Sequence, residues 1–451
     1  MLDDMFDHLQ SLRDQPVWQC APAQTRARFE APLPLAATAI EEVHAQFLTD
    51  ILPYGSGNTH PGFMGWVQGG GTAVGMLAEM LAAGLNANLG GRDHMPIVVE
   101  RQIVAWVRDI FRFPHTAQGL FLTGASQANF IAVLLARSRA GSNDRLVAYA
   151  SKAVHGCVPR AMDMAGLGAK NLRLIDVDAA GRIDLFALQE ALVRDERAGL
   201  TPFLLVGTAG TVDIGSIDDL PALAAIASSH GLHFHIDGAL GALGMLSDEL
   251  APRLKGIELC DSLAFDFHKW AQVPYDAGFL LTRDGNAQKA LFASDASYLT
   301  RATRGLAAGG LWPCDYGPDL SRGFRALKTW FTLKTFGLAA LGASMAANCR
   351  LAQSLAERID REPELERVAP VALNIVCFAW RGPDINARIV ECLQEAGEVA
   401  PSLTVINGRR VIRAAIVNHR TTQADIDTLI ESVLALGREA CSKPENEIVN
   451  A

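Results

Sequence analysis

His233-Phe-His-Ile-Asp237-Gly-Ala239 and Ser262-Leu-Ala-Phe-Asp-Phe-His268-Lys269-Trp270 are two hydrophobic runs that each end in chemically capable side chains. Each reads as a strand running out into a turn. The first ends in a carboxylate followed by small residues, the second in His-Lys-Trp. Asp237 and Lys269 lie 32 positions apart (269 minus 237), about one βαβ step plus a strand. In a parallel sheet that spacing brings both to the same edge. Around this pair, further strands are expected at Leu120–Thr123, Leu146–Tyr149, Leu172–Ile175, Phe203–Thr208, Leu232–Asp237, Ser262–Phe265 and Gly278–Thr282. Helices are expected at Ala125–Arg139, Asp184–Arg197 and Asp219–His230. The alternation predicts an α/β protein with a mainly parallel seven-stranded sheet covered on both faces. Ligands of such sheets bind beyond the carboxyl ends of the strands.

Further out the pattern changes. Residues 1 to about 60 carry scattered prolines and one expected helix near Thr38 to Phe47, and read as an arm without a core of its own. Thr72 to Asn88 is helical in pattern. Ile97 to Phe111 is amphipathic, with Val99, Ile103, Trp106, Val107 and Ile110 on one face and Pro96 just before its first turn. Residues 285–321 are glycine- and proline-rich and read as a long loop, the usual material of a lid. Arg322 to Phe336 and a longer helix to about Ile359 follow, then a smaller α/β unit from about Val368. The expected division is an arm over 1–60, a large domain over 61–335 and a small C-terminal domain over 336–451.

A chain of 451 residues with 49% hydrophobic and 20% charged residues has ample material for packed cores and for two or three structural units. Its net charge of −9 argues against a nucleic-acid binder, which needs a basic stripe. The eight cysteines show no C-x-x-C spacing, so reduced thiols are expected and no metal site. The acidic N-terminus lacks the features of a signal peptide, and no run reaches 18 apolar residues. The expectation is a cytoplasmic enzyme with no membrane partner.

Four features carry chemistry. A lysine at a strand's carboxyl edge, desolvated there, would favour the neutral amine that attacks an aldehyde; the alternative for Lys269 is a surface lysine beside a packing tryptophan. Asp237 could hold a protonated pyridine nitrogen by a charge-assisted hydrogen bond, or simply cap a helix. Leu120-Phe-Leu-Thr-Gly124-Ala125-Ser126-Gln127 takes a strand into a small-residue turn that opens a helix, where backbone N–H groups bind phosphate; an ordinary capped helix reads the same way. His155 follows the Leu146–Tyr149 strand, placed to stack on an aromatic cofactor or to serve as a turn residue.

In the order glycine-rich turn, histidine, aspartate, lysine, the chain resembles the group II pyridoxal-phosphate (PLP) dependent amino-acid decarboxylases, which include aromatic-L-amino-acid and glutamate decarboxylases. The resemblance runs from about His60 to the C-terminus. It includes His60-Pro-Gly-Phe63, Thr123-Gly-Ala-Ser126, Gly207-Thr208-Ala-Gly210-Thr211, His235-Ile-Asp237-Gly-Ala239, Asp261-Ser262 through Trp270, and Ser321-Arg322 through Trp330. It implies the aspartate-aminotransferase-like PLP fold (fold type I), as a homodimer with a shared active site, the N-terminal arm packing on the partner subunit. It further implies Lys269 as the residue that carries the cofactor covalently and Asp237 as partner of the pyridine nitrogen. By the same resemblance His155 and Ala239 lie on the two ring faces, Ala125, Ser126 and His268 cradle the phosphate, and Thr208 lies beside the cofactor. Tyr298, in Ala296-Ser-Tyr298-Leu, matches the family's lid tyrosine, which returns a proton to carbon after carbon dioxide leaves; a packed loop aromatic is the alternative. Phe63, Arg92 and Arg322 fall in the substrate-pocket segments, though a structural ion pair suits Arg322 equally well.

Several positions depart from the family. Asp266 stands where many relatives have Asn, Gly124 replaces a common serine, and Val212 a second threonine. Gly62 replaces an often aromatic residue, and Gly90-Gly-Arg92-Asp93-His94 an aromatic-containing stretch. Arg92 offers a cation for a side-chain carboxylate and Asp93 a carboxylate for an amine; interface ion pairs explain them as well. Decarboxylation of an L-amino acid is the leading reaction. The alternatives are a PLP-dependent C–C or C–S lyase, a decarboxylation-coupled oxidative deaminase (aldehyde synthase), and a silent PLP-fold binding protein.

Overall fold

The computed structural model describes residues 1–141, 144–294 and 296–442. Its strands in chain order are β1 (Phe63–Met64), β2 (Gln118–Leu122), β3 (Leu146–Ser151), β4 (Leu172–Ile175), β5 (Thr201–Thr208), β6 (His233–Asp237), β7 (Ser262–Asp266), β8 (Gly278–Thr282), β9 (Leu365–Arg367), β10 (Ile375–Trp380), β11 (Ala400–Ile406) and β12 (Arg409–Ala415). The chain forms two compact units. One comprises Gly71–Ala347, the other Met1–Gly70 together with Asn348 onward.

The larger unit holds a seven-stranded sheet in the order β2-β8-β7-β6-β5-β3-β4, the seven strands expected. All neighbours are parallel except β8, which runs antiparallel to both β2 and β7. Strands β3 and β6 to β8 are buried along their whole length, as strands covered by helices on both faces are. Helix Ala125–Ala140 packs on one face through Ala128, Ile131, Ala132 and Leu135 against Leu120, Leu122, Ala264 and Leu280. Helices Leu185–Arg197 and Leu220–His230 start where Asp184 and Asp219 accept N–H bonds from the first turn.

Two expectations in this unit change. The helix near 97 begins at Met95, so Pro96 sits inside its first turn, and its buried face is Ile97, Glu100, Ile103, Val104, Val107 and Phe111 rather than the stripe through Trp106. Residues 285–321 are not all loop: Gly285–Phe292 is helical because Asp284 accepts from the N–H groups of Asn286 and Ala287. The expected pair of helices, one ending at Phe336 and a longer one after it, is met: helix Arg325–Arg361 is broken at Gly337, whose φ of 74° lies in the left-handed region open to glycine.

The smaller unit is a five-stranded sheet, β1-β11-β12-β10-β9. Its core gathers Met64, Ile359, Phe378, Trp380, Ile412 and Ile430. The N-terminal segment is tied to it by specific bonds. Arg13 pairs with Asp425 at 2.9 Å, Val17 N–H donates to Gly397 O at 2.7 Å, and Asn418 donates to the carbonyls of Asn58, Thr59 and His60. The two compact units divide after Gly70 and after Ala347. None of the described helices is long and apolar enough to cross a membrane.

Candidate active site

Parallel pairing of β5, β6 and β7 aligns their carboxyl ends. Thr208 is opposite Asp237, and Asp237 opposite Ala264, two residues before Asp266. Asp237 is buried, and both its carboxylate oxygens accept hydrogen bonds: Oδ1 from Ala239 N–H at 3.1 Å and Oδ2 from Asn129 Nδ2 at 3.0 Å. Sequence reasoning missed Asn129, which lies one turn beyond Ala125 on the same helix face. Buried in an apolar helix, it could have been flagged as a polar group needing partners.

Lys269 follows the end of β7 by three residues, and its Nζ lies 2.9 Å from Asp266 Oδ2. Burial works to lower the lysine's pKa, but the Asp266 carboxylate, with help from Asp237, more than offsets it, and the net shift is upward. The expectation that desolvation alone would favour the neutral amine is therefore reversed by the departure at 266. Asp266 Oδ1 also accepts the Ala125 N–H at 2.7 Å, so its carboxylate ties the helix start to the lysine. His268 is buried, its Nδ1 accepts from Ala277 N–H at 3.0 Å, and its Nε2 lies 3.8 Å from Asp266. Burial pushes its pKa down. The start of β8 presses on the Gly124 turn: a Cβ on Gly278 would come within 2.3 Å of Gly124 Cα.

His155 is exposed, and its Nδ1 accepts from Cys157 N–H at 3.2 Å. Ser126 is exposed at the helix start, Ala125 is buried, and Ala239 is half-buried. Tyr298 lies in the short turn Ser297–Leu299; its side chain is outside the described residues. Arg92 stacks its guanidinium on Trp312 at 4.3 Å, with Arg301 on the same ring at 4.7 Å. Arg322 is buried and gives a bidentate pair to Glu100 (2.7 and 3.2 Å) plus bonds to Leu89 O and Phe121 O. Of the two readings, the ion pair is the one its contacts fit. Phe63 belongs to the other compact unit, where it opens β1 and packs with Val17 and Ala400. Gly62 has a local reason: a Cβ there would lie 2.4 Å from Glu398 O.

These residues fit PLP. Asp237 presents a buried carboxylate, Lys269 an amine on the neighbouring strand end, and Thr208 a buried hydroxyl with no hydrogen-bond partner among the described residues. A flat, anionic aldehyde with a basic ring nitrogen matches that donor set.

The model of the pyridoxal-dependent decarboxylase conserved domain matches residues 22–381. An aromatic-L-amino-acid decarboxylase of Bacillus atrophaeus is 29% identical over 97% of this chain and 94% of its own length. A phenylacetaldehyde synthase of Arabidopsis thaliana is 27% identical over 92% of this chain and 90% of its own. Among solved structures, Oryza sativa TDC with PLP and tryptamine superposes with a TM-score of 0.90 at 22% identity, covering 97% of this chain and 96% of that one. The architecture is thus that of the fold type I PLP enzymes. The chain belongs to the pyridoxal-dependent decarboxylase family, with PLP as its cofactor and a carboxy-lyase activity.

Proposed function

We propose that the protein decarboxylates an L-amino acid to the corresponding amine and carbon dioxide, with Lys269 carrying PLP and Asp237 facing its ring nitrogen. The observation that carries this reading is the alignment of Thr208, Asp237 and Asp266–Lys269 at one sheet edge. Bound PLP supplies an electron sink for the bond between the substrate's α-carbon and its carboxylate. Asp237, held by Asn129 and the Ala239 N–H, keeps a proton on the ring nitrogen. By the resemblance, His155, exposed beside Cys157, and Ala239 would bracket the ring, and Ala125, Ser126 and His268 would hold the phosphate. Tyr298, which matches the family's lid tyrosine, would donate a proton to the α-carbon in place of the departed carboxylate.

The resting site is proposed to lie in a cytoplasmic homodimer that shares it between subunits. Leu33 and Leu35, 80% and 95% exposed in the N-terminal segment, are the kind of apolar side chains a second copy would cover. An active monomer in sedimentation would contradict this.

The test is a panel of L-amino acids with PLP-loaded enzyme, assayed for carbon dioxide, amine, ammonia, aldehyde and peroxide. Equimolar carbon dioxide and amine are expected. Aldehyde with ammonia and peroxide would replace the reading by the oxidative reaction, which the likeness to an aldehyde synthase makes the second candidate. Products without carbon dioxide would point to a C–C or C–S lyase.

A further inference from the structure

Behind Asp237 lies a line of buried polar groups of which only Asn129 has been used above. Asn129, His233, His235 and Ser262 are each 6% exposed or less. Asn129 Oδ1 lies 2.6 Å from His235 Nε2, His235 Nδ1 lies 2.8 Å from Ser262 Oγ, and Ser262 Oγ lies 2.8 Å from His233 Nε2. The contacts continue from Asn129 Nδ2 to Asp237 Oδ2 at 3.0 Å and to the Cys157 thiol at 3.2 Å.

The direction of the hydrogens follows from Asp237. Its carboxylate already takes a backbone N–H on Oδ1, so the group facing Oδ2 must donate, and the amide NH2 of Asn129 is turned toward it. The amide oxygen then faces His235, whose Nε2 must carry the hydrogen. Nδ1 is left bare and accepts from the Ser262 hydroxyl, whose oxygen accepts in turn from His233 Nε2–H. The Ser262 carbonyl, 3.1 Å from the same Nδ1, favours the opposite tautomer. That tautomer would set a bare Nε2 against the amide oxygen at 2.6 Å, or turn the amide oxygen onto a carboxylate, and is the worse arrangement. An imidazolium is disfavoured too: burial, then the neighbouring His233, push the His235 pKa down to about 3.

We propose that His233, Ser262, His235 and Asn129 form a one-way hydrogen-bond chain that fixes the amide of Asn129 on Asp237 and thereby positions the carboxylate for the cofactor's ring nitrogen. These are positioning residues; none of them is placed against substrate. The inference rests on the reading that Asp237 meets that nitrogen. The chain runs across three elements, through the helix at 129, β6 at 233 and 235, and β7 at 262, so it also locks the helix start to the sheet edge.

The experiment uses full-length holoenzyme reconstituted with PLP labelled at the ring nitrogen, read by NMR shift of that nitrogen and by the PLP dissociation constant. Asp237→Ala tests the underlying reading: if neither readout moves, Asp237 does not meet the ring and that reading fails. Asn129→Leu and Ser262→Ala test the chain. Loss of a hydrogen bond to a charged group predicts about tenfold weaker PLP for Asn129→Leu, with a ring-nitrogen shift displaced toward that of Asp237→Ala. Ser262→Ala, a single buried hydroxyl, is expected to move the same signal less and in the same direction. His235→Gln, which keeps a donor toward Asn129, should restore more of the signal than His235→Leu. Thermal melts identify any variant that fails to fold, and the folded ones decide. A wild-type ring-nitrogen shift in folded Asn129→Leu and Ser262→Ala, with Asp237→Ala displaced, would overturn the chain and leave the role of Asp237 standing.

Discussion

Arg322 was a candidate for substrate contact, and its buried pair with Glu100 makes a sharp prediction. The side chains are 1% and 4% exposed, so neither charge is screened by water. The guanidinium gives two bonds to the carboxylate and one each to two backbone carbonyls. Glu100→Ala leaves those carbonyls but strands the cation, and removal of one partner of a buried pair costs about 3–5 kcal/mol. The double change Glu100→Met with Arg322→Met removes both charges and fills similar volume, so it should return to near wild-type stability or exceed it. Urea unfolding of wild type, Glu100→Met, Arg322→Met and the double variant gives the coupling directly. The same double variant separates the two roles of Arg322. If the arginine is structural, the restored fold keeps a KM within a few-fold of wild type. A Glu100→Ala protein within about 0.5 kcal/mol of wild type would refute the ion-pair argument, and a stable double variant with a selectively raised KM would return Arg322 to the substrate pocket.

Three further outcomes are expected. Asp266→Asn keeps an acceptor for the Ala125 N–H but removes the charge that raises the Lys269 pKa; the pH profile of PLP capture by apoprotein, followed by visible absorbance, should move to lower pH, and an unmoved profile would count against control by Asp266. Gly278→Ala sets a Cβ 2.3 Å from Gly124 Cα and should weaken PLP several-fold by displacing the phosphate turn, so unchanged affinity in a titration would show that the turn yields. His235 has a folded pKa of about 3 against an ordinary value of 6.5. The unfolded chain therefore binds the extra proton first as pH falls, and stability is full above pH 6.5 and lost progressively toward pH 3. At 1.36 kcal/mol per unit, this one group removes about 2 kcal/mol between pH 6.5 and 5; a urea midpoint that did not fall over that range would contradict a buried neutral imidazole.

The seven strands of the large unit were legible because each is an apolar run of strand length bounded by turn residues, and Asp237 and Lys269 because one repeat step separates them. Strand order was not legible: nothing in Gly278–Thr282 announces that it runs against its neighbours. The helix at Gly285–Phe292 was hidden by the glycines downstream of it, although Asp284 carried the capping signal. The bonds that tie the N-terminal segment to the C-terminal unit were not legible, because they join residues some 400 positions apart, such as Arg13 and Asp425, and no local pattern encodes them. Asn129 and Ser262 were passed over for the same reason, since a buried amide or hydroxyl has meaning only through its partners.

The reversed strand also explains why the site gathers five separate segments. β2, β5, β6 and β7 are mutually parallel and end at one edge, delivering Gly124–Ser126, Thr208, Asp237 and Asp266–Lys269. An antiparallel β8 begins at the edge where they finish, so its first residue, Gly278, meets the Gly124 turn. A side chain at 278 would hold that turn away, and the Ala125 N–H would lose Asp266. With it would go the link from the helix start through Asp266 to Lys269. The same helix carries Asn129 to Asp237 one turn later. One helix therefore sets both carboxylates, and a shift of its first turn should disturb the lysine and the ring-nitrogen partner together, not one at a time.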